Sequence, residues 1–197
     1  VMYDKKSDET FSIDYREKAP ILVHRDLYLN EEEEVDREKT QHSILAAGVP
    51  GTVSGLSLAL RKFGTISLQR ALLPAIQLAE KGFPVSEALY RDFIKTQNRL
   101  RNNEESKKVF LKPDGSLYKP GEILIQKDLA WSLREIAKHG EMAFYKGNIA
   151  KKIVSHIQKN IGLITHDDLE KYSAKIRKPI HGVFRGYDIY SMPPPSS

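Results

Sequence analysis

Among the side chains able to do chemistry, an arginine set between two acids can be read in two ways. Arg16 lies in the run Asp14-Tyr15-Arg16-Glu17, at the end of the alternating stretch Thr10-Phe11-Ser12-Ile13-Asp14-Tyr15. A guanidinium is planar, permanently charged and able to meet both oxygens of a carboxylate, so an arginine fixed at a strand end suits an anionic substrate. The same run also suits a plain ion pair of Arg16 with Asp14 or Glu17, and because surface arginines are common, local sequence alone favours that pair. The six histidines, His24, His42, His139, His156, His166 and His181, are nowhere spaced as His-x-His or His-Glu-x-x-His, so no metal site is expected. Cysteine is absent, which removes disulfides and thiolate chemistry but does not fix the compartment. The segment from Gly48 to Gly55 has glycines like a phosphate loop, but lacks its lysine and spacing and the Gly-x-Gly-x-x-Gly order of dinucleotide binders. Its glycines read instead as a tight turn and a close helix approach.

Helices and strands must position these residues, and the periodicities are legible. Polar and apolar residues alternate over Thr10–Tyr15, the period of a half-buried strand, and Pro20 keeps the chain extended beyond it. Asn30 to Gln41 is charged and nearly without apolar residues, which predicts a solvated loop or a short exposed helical turn. Val53, Leu56, Leu60 and Phe63 recur at helical spacing, with Gly64 as the stop. Ser67 opens a segment carrying Leu68, Leu72, Ile76 and Ala79, in which Pro74 is expected to kink the helix or begin a second one. Ser86 caps a further helix to about Leu100, and turns at Pro113-Asp114-Gly115 and Pro120-Gly121 follow it. Two more helices carry Leu129, Leu133, Ile136 and Ala137, then Ile149, Ile153 and Ile157. Thr165-His166-Asp167-Asp168 has the form of a capping box, and Ile180–Phe184 and Tyr187–Tyr190 flank Arg185-Gly186 as a β-hairpin.

At 197 residues, with 40% hydrophobic and 29% charged positions, the chain has the length and composition of one soluble globular domain. No apolar run approaches the roughly 18 residues of a membrane span, and the first residues do not form a signal peptide. The net charge of +5 raises the question of nucleic acid, but the charges are mixed and the densest run, Glu31–Glu34, is acidic. Basic residues interleave with aromatics only at Lys175–Tyr190, which reads better as paired strands, so no nucleic-acid partner is expected. The few short strands cannot make a sheet with covered edges, which places their neighbours outside the chain. Both ends, Val1 and the run Pro193-Pro194-Pro195-Ser196-Ser197, look cut.

Six segments, in order, resemble the γ-glutamyltranspeptidase family. They are Asp14 to Pro20; Gly48 to Leu56; Pro74 to Ala79 with Gly82-Phe83; Phe144 to Gly147; Gly162 to Thr165 with Asp168-Leu169 and Tyr172; and Tyr187 to Ser197. The resemblance covers nearly the whole chain. It implies an α+β piece, mostly helical with a few strands, of an αββα N-terminal-nucleophile hydrolase sandwich. Residues 1–197 would be a partial large-subunit domain, with the small catalytic subunit of the same precursor as its partner. In the family, that subunit's new amino-terminal threonine attacks the γ-glutamyl bond of glutathione and related compounds, its own amine serving as base. Transfer to water or to an amine acceptor follows.

The resemblance assigns Arg16 to the α-carboxylate of the γ-glutamyl group, with Glu17 orienting the loop. It assigns no catalytic residue, metal or cofactor to this chain. None of Thr10, Thr40, Thr52, Thr65 or Thr96 matches the processing motif, and Thr165 reads as a helix cap. The full-length protein is expected in the periplasm or secreted, and the piece alone is expected to be inactive and to self-associate. An acylase on the same scaffold and a non-catalytic helical interaction module are the alternatives.

Overall fold

Alternation and capping fix the local elements, and the structure, a computed structural model, describes them over residues 1–194; Pro195, Ser196 and Ser197 of the proline-rich end lie outside the described residues. In chain order, strands β1 (Met2–Asp4) and β2 (Glu9–Asp14) precede α1 (Arg37–His42) and a 3-10 turn at Ile44–Ala46. Helices α2 (Thr52–Phe63) and α3 (Leu68–Lys81), strand β3 (Phe83–Pro84), helices α4 (Glu87–Asn102) and α5 (Glu104–Phe110) and strand β4 (Ile123–Leu124) come next. Helices α6 (Lys127–His139), α7 (Glu141–Tyr145), α8 (Asn148–Lys159) and α9 (His166–Glu170) lead to strands β5 (Lys175–Arg177), β6 (Ile180–Phe184) and β7 (Tyr187–Ser191). The chain is therefore α+β and mostly helical.

It divides into two compact units, one of Val1–Leu68 with His139–Ser197 and one of Gln69–Lys138. In the first, β2 is the centre of an antiparallel sheet ordered β1-β2-β5, with Ile13 opposite Ile176 and Asp14 opposite Lys175. The amphipathic face of α8 supplies Ala150, Val154 and Ile157 to a core that also holds Val49, Tyr145, Leu169 and Tyr172. Thr165 and Asp168 close a reciprocal capping box at the start of α9, as their spacing predicts. The second unit packs Val85, Phe93 and Leu124 beneath α4 and α5, with β3 paired to β4.

One expectation is narrowed. No second helix begins at Pro74: α3 runs through it, although the proline gives no amide to the ladder. Gly64 ends α2 as its position predicts, at φ −79°. Its absent Cβ matters for space, since one would lie 2.4 Å from the Leu60 carbonyl oxygen.

The β6–β7 hairpin turns on Arg185 and Gly186, both at positive φ (51° and 81°), the geometry of a tight two-residue connection that matches strand twist. Both strands are exposed along their whole length and pair only with each other among the described residues. A two-stranded ribbon of this kind has little stability of its own.

Candidate functional site

Arg16 stands where β2 gives way to an extended loop, and that loop is tied at several points. Asp14, the last residue of β2, receives Arg177 Nε on one carboxylate oxygen (2.7 Å) and the Arg16 amide on the other (3.1 Å). Burial works against the charged form of Asp14, but hydrogen bonds from Arg177 and the Arg16 amide outweigh it and hold the carboxyl below its usual value. Two residues further on, Lys18 exchanges backbone hydrogen bonds with Val49, Lys18 N to Val49 O at 3.3 Å and Val49 N to Lys18 O at 2.7 Å. At the end of the loop, the Ile21 amide donates to Asp168 Oδ1 at 2.7 Å.

The turn Gly48-Val49-Pro50-Gly51 lies against this loop, and the side-chain-free approach of its glycines is what allows it. A Cβ on Gly51 would come within 2.0 Å of the Tyr172 hydroxyl and 2.1 Å of the Tyr15 carbonyl oxygen. One on Gly55 would enter the Tyr15 ring at 2.3 Å. These glycines serve close packing, as their sequence context indicates.

Beneath the turn, two tyrosines are stacked with ring centroids 5.6 Å apart and planes 7° from parallel. The Tyr145 hydroxyl donates to the Pro50 carbonyl (2.9 Å) and accepts from the Ser54 amide (3.2 Å). Burial pushes its pKa up to about 12. The Tyr172 hydroxyl donates to the Arg16 carbonyl oxygen at 2.7 Å, and burial, followed by the nearby Asp14 and Glu17 charges, raises its pKa too. No role for Tyr145 or Tyr172 follows from local sequence, and neither does the bond from Ile21 to Asp168.

Arg16 itself lines a surface depression of about 630 Å³, together with Asp14, Tyr15, Glu17, Gly51 and Thr52. Its Nε pairs with Glu17 Oε1 at 3.1 Å, and both side chains are about half exposed (50% and 58%). Glu17 is the guanidinium's partner among the described residues, and it engages Nε rather than a terminal nitrogen. The ion pair and the position beside a cavity, alternatives on sequence grounds, thus occur together. An exposed neighbouring pair of this kind contributes little to stability, which leaves the guanidinium available to a stronger anion.

The Gamma-glutamyltranspeptidase family profile matches residues 1–197. The chain belongs to the γ-glutamyltranspeptidase family. It is 48% identical over 194 residues to the glutathione hydrolase proenzyme of Escherichia coli (strain K12), a match covering 98% of this chain and 33% of that protein. Its backbone superposes on Helicobacter pylori γ-glutamyltranspeptidase with a TM-score of 0.94 at 39% identity, covering 96% of this chain and 54% of that one. A cephalosporin acylase from Bacillus halodurans shares the fold alone, with a TM-score of 0.80 at 24% identity over 92% of this chain and 34% of that one. The chain therefore spans about a third of the length of the curated γ-glutamyltranspeptidase relatives it matches.

The relatives from Escherichia coli and Bacillus subtilis are named as proenzymes, and the family's α+β architecture is the one found here. Among the described residues of this family member, no cluster of His, Cys, Asp or Glu is arranged to hold a metal ion. No described helix is long and apolar enough to cross a membrane.

Proposed function

We propose that residues 1–197 are part of the large subunit of a glutathione hydrolase, in which Arg16 binds the α-carboxylate of a γ-glutamyl donor. The observation that carries the reading is the placement of Arg16 on the wall of a depression, at a strand end braced by the Asp14–Arg177 pair, with Glu17 on Nε and no ion pair to its terminal nitrogens among the described residues. A carboxylate entering the depression would meet those nitrogens as a fork, and Glu17 would keep Nε occupied and the plane of the group oriented.

The nucleophile comes from the small catalytic subunit of the same precursor. Its amino-terminal threonine hydroxyl adds to the γ-carbonyl, with the threonine's own amine accepting the hydroxyl proton. The bond from carbon to the leaving nitrogen breaks, the amine departs with a proton, and an ester to the threonine remains. Water or an amino-acid or peptide amine then attacks that ester, giving glutamate or a new γ-glutamyl compound. Arg16 forms no covalent bond in this sequence: it fixes the donor so that the γ-carbonyl meets the hydroxyl. The donors are glutathione and other γ-glutamyl compounds, the full-length protein is periplasmic or secreted, and the chain by itself is inactive and self-associates.

The test is Arg16→Lys in the full-length, self-processed enzyme. Lysine keeps the charge and loses the fork, and a hydrogen bond to a charged group contributes about 1.5–3 kcal/mol, so the KM for a γ-glutamyl anilide should rise about ten-fold or more. The kcat should change much less, because the interaction exists in both ground and transition states. A wild-type KM in this variant would remove Arg16 from the donor site.

A further inference from the structure

The loop that carries Arg16 is gripped from behind, by residues that do not line the depression. Arg16 lines the depression, and its carbonyl oxygen accepts the Tyr172 hydroxyl at 2.7 Å, although Tyr172 is not among the lining residues. Tyr172 is 7% exposed and held on three sides: its ring stacks on Tyr145, its amide donates to Leu169 O at 3.1 Å, and Lys18 Nζ lies 5.0 Å above the ring. Asp168, two positions before the end of α9 and 6% exposed, holds the other end of the loop through the Ile21 amide. Asp168 is in turn fixed by the Thr165 hydroxyl (2.7 Å) and amide (2.8 Å). One short segment, α9 with its following turn, therefore sets both ends of the stretch from Arg16 to Ile21.

We propose that Tyr172, assisted by Asp168, is a positioning residue that sets the reach of Arg16 toward the donor carboxylate. This rests on the reading that Arg16 binds that carboxylate. The physical reason is leverage. A forked guanidinium contact tolerates little displacement, and a binding group misplaced by about 1 Å from its productive geometry loses much of its effect. The Tyr172 hydroxyl bonds to the backbone of residue 16 itself, so its loss lets the root of the arginine move without touching the cavity wall. A phenol merely filling the core would stabilise the fold without influencing donor affinity.

The experiment uses the full-length, self-processed enzyme and a γ-glutamyl anilide as donor, with kcat, KM and the urea unfolding midpoint measured for Tyr172→Phe, Arg16→Lys and the double variant. Expected is a rise in KM of about five-fold for Tyr172→Phe, comparable to one neutral hydrogen bond, with kcat within about two-fold of wild type. In the Arg16→Lys background the same change should raise KM less than about two-fold further, because the group being positioned is already gone. Should Arg16→Lys raise KM while Tyr172→Phe leaves it at the wild-type value, or shifts only the urea midpoint, the positioning role is overturned and the donor-site reading stands. Additive effects of the two changes on KM would overturn it equally. Should Arg16→Lys leave KM unchanged, the donor-site reading falls and takes this inference with it. Where Tyr172→Phe does not mature, Asp168→Asn is read in the same way, with an expected KM rise of about two- to five-fold and the wild-type value as the refuting result.

Discussion

Gly51→Ala is the substitution whose consequence can be worked most directly from the geometry. The added methyl would be built 2.0 Å from the Tyr172 hydroxyl, 2.6 Å from the ring carbon bearing it, and 2.1 Å from the Tyr15 carbonyl oxygen. Ordinary contact begins near 3.4 Å, so hydroxyl and carbonyl must each retreat by more than 1 Å. Neither has an easy route. The Tyr15 oxygen belongs to the backbone, and Tyr172 is stacked on Tyr145 and bonded to Arg16. Overpacking of this sort costs about 1–3 kcal/mol, and losing the Tyr172–Arg16 bond adds about 1 kcal/mol. Against a domain stability on the order of 5–15 kcal/mol, that is a large fraction. With a urea slope of about 1–3 kcal/mol per molar, the midpoint followed by far-UV circular dichroism should fall by about 1–2 M. Gly182→Ala is the control: nothing lies within 4 Å of the Cβ it would add, and its effect should stay within about 0.5 kcal/mol. A Gly51→Ala midpoint matching that of the control would refute the close approach of turn and loop.

Two further outcomes are expected. Asp14 and Asp168 both hold carboxyls below the ordinary value of 3.8, burial opposing ionisation and hydrogen bonds overcoming it. Each therefore binds its proton less readily folded than unfolded, so its stabilisation is complete above about pH 4 and is lost as pH falls further, through the folded value. Urea midpoints measured from about pH 6 down to about pH 2.5 should drop along this limb, and Asp168→Asn should make the drop shallower; an unchanged limb would show that Asp168 is not a stabilising carboxylate. On the hairpin, Ile180, Phe184, Tyr187 and Ile189 share one face and are all exposed, the last three at 60%, 75% and 49%. Sedimentation velocity of residues 1–197 should show concentration-dependent association that Phe184→Lys reduces, whereas a clean monomer for the parent chain across the range would contradict it.

Much of the local structure was legible because it is written at short range. The alternation before Arg16, the Ser86 and Thr165 caps, and the Arg185-Gly186 turn each involve residues within a few positions of one another, and each element formed where expected. Short elements were less visible. Helix α5 has only seven residues, opening on Glu104 and Glu105, too brief for an apolar period to declare itself. Strands β1, β3, β4 and β5 are two or three residues long and exist through the partners they meet. Nothing near Lys175 announces that it will face Asp14.

The candidate site divides along the same line. Sequence by itself determined that an arginine would stand at the end of β2 beside two acids, that glycines would crowd the following turn, and that the run of motifs is that of the γ-glutamyltranspeptidase family. Only the tertiary structure decided that the Arg16 carbonyl is held by Tyr172, 156 positions away, and the Ile21 amide by Asp168, 147 away. A hydrogen bond between a phenol and a distant carbonyl imposes no periodicity on either segment, so no local pattern encodes it. It arises only once a packed core has placed both groups within reach.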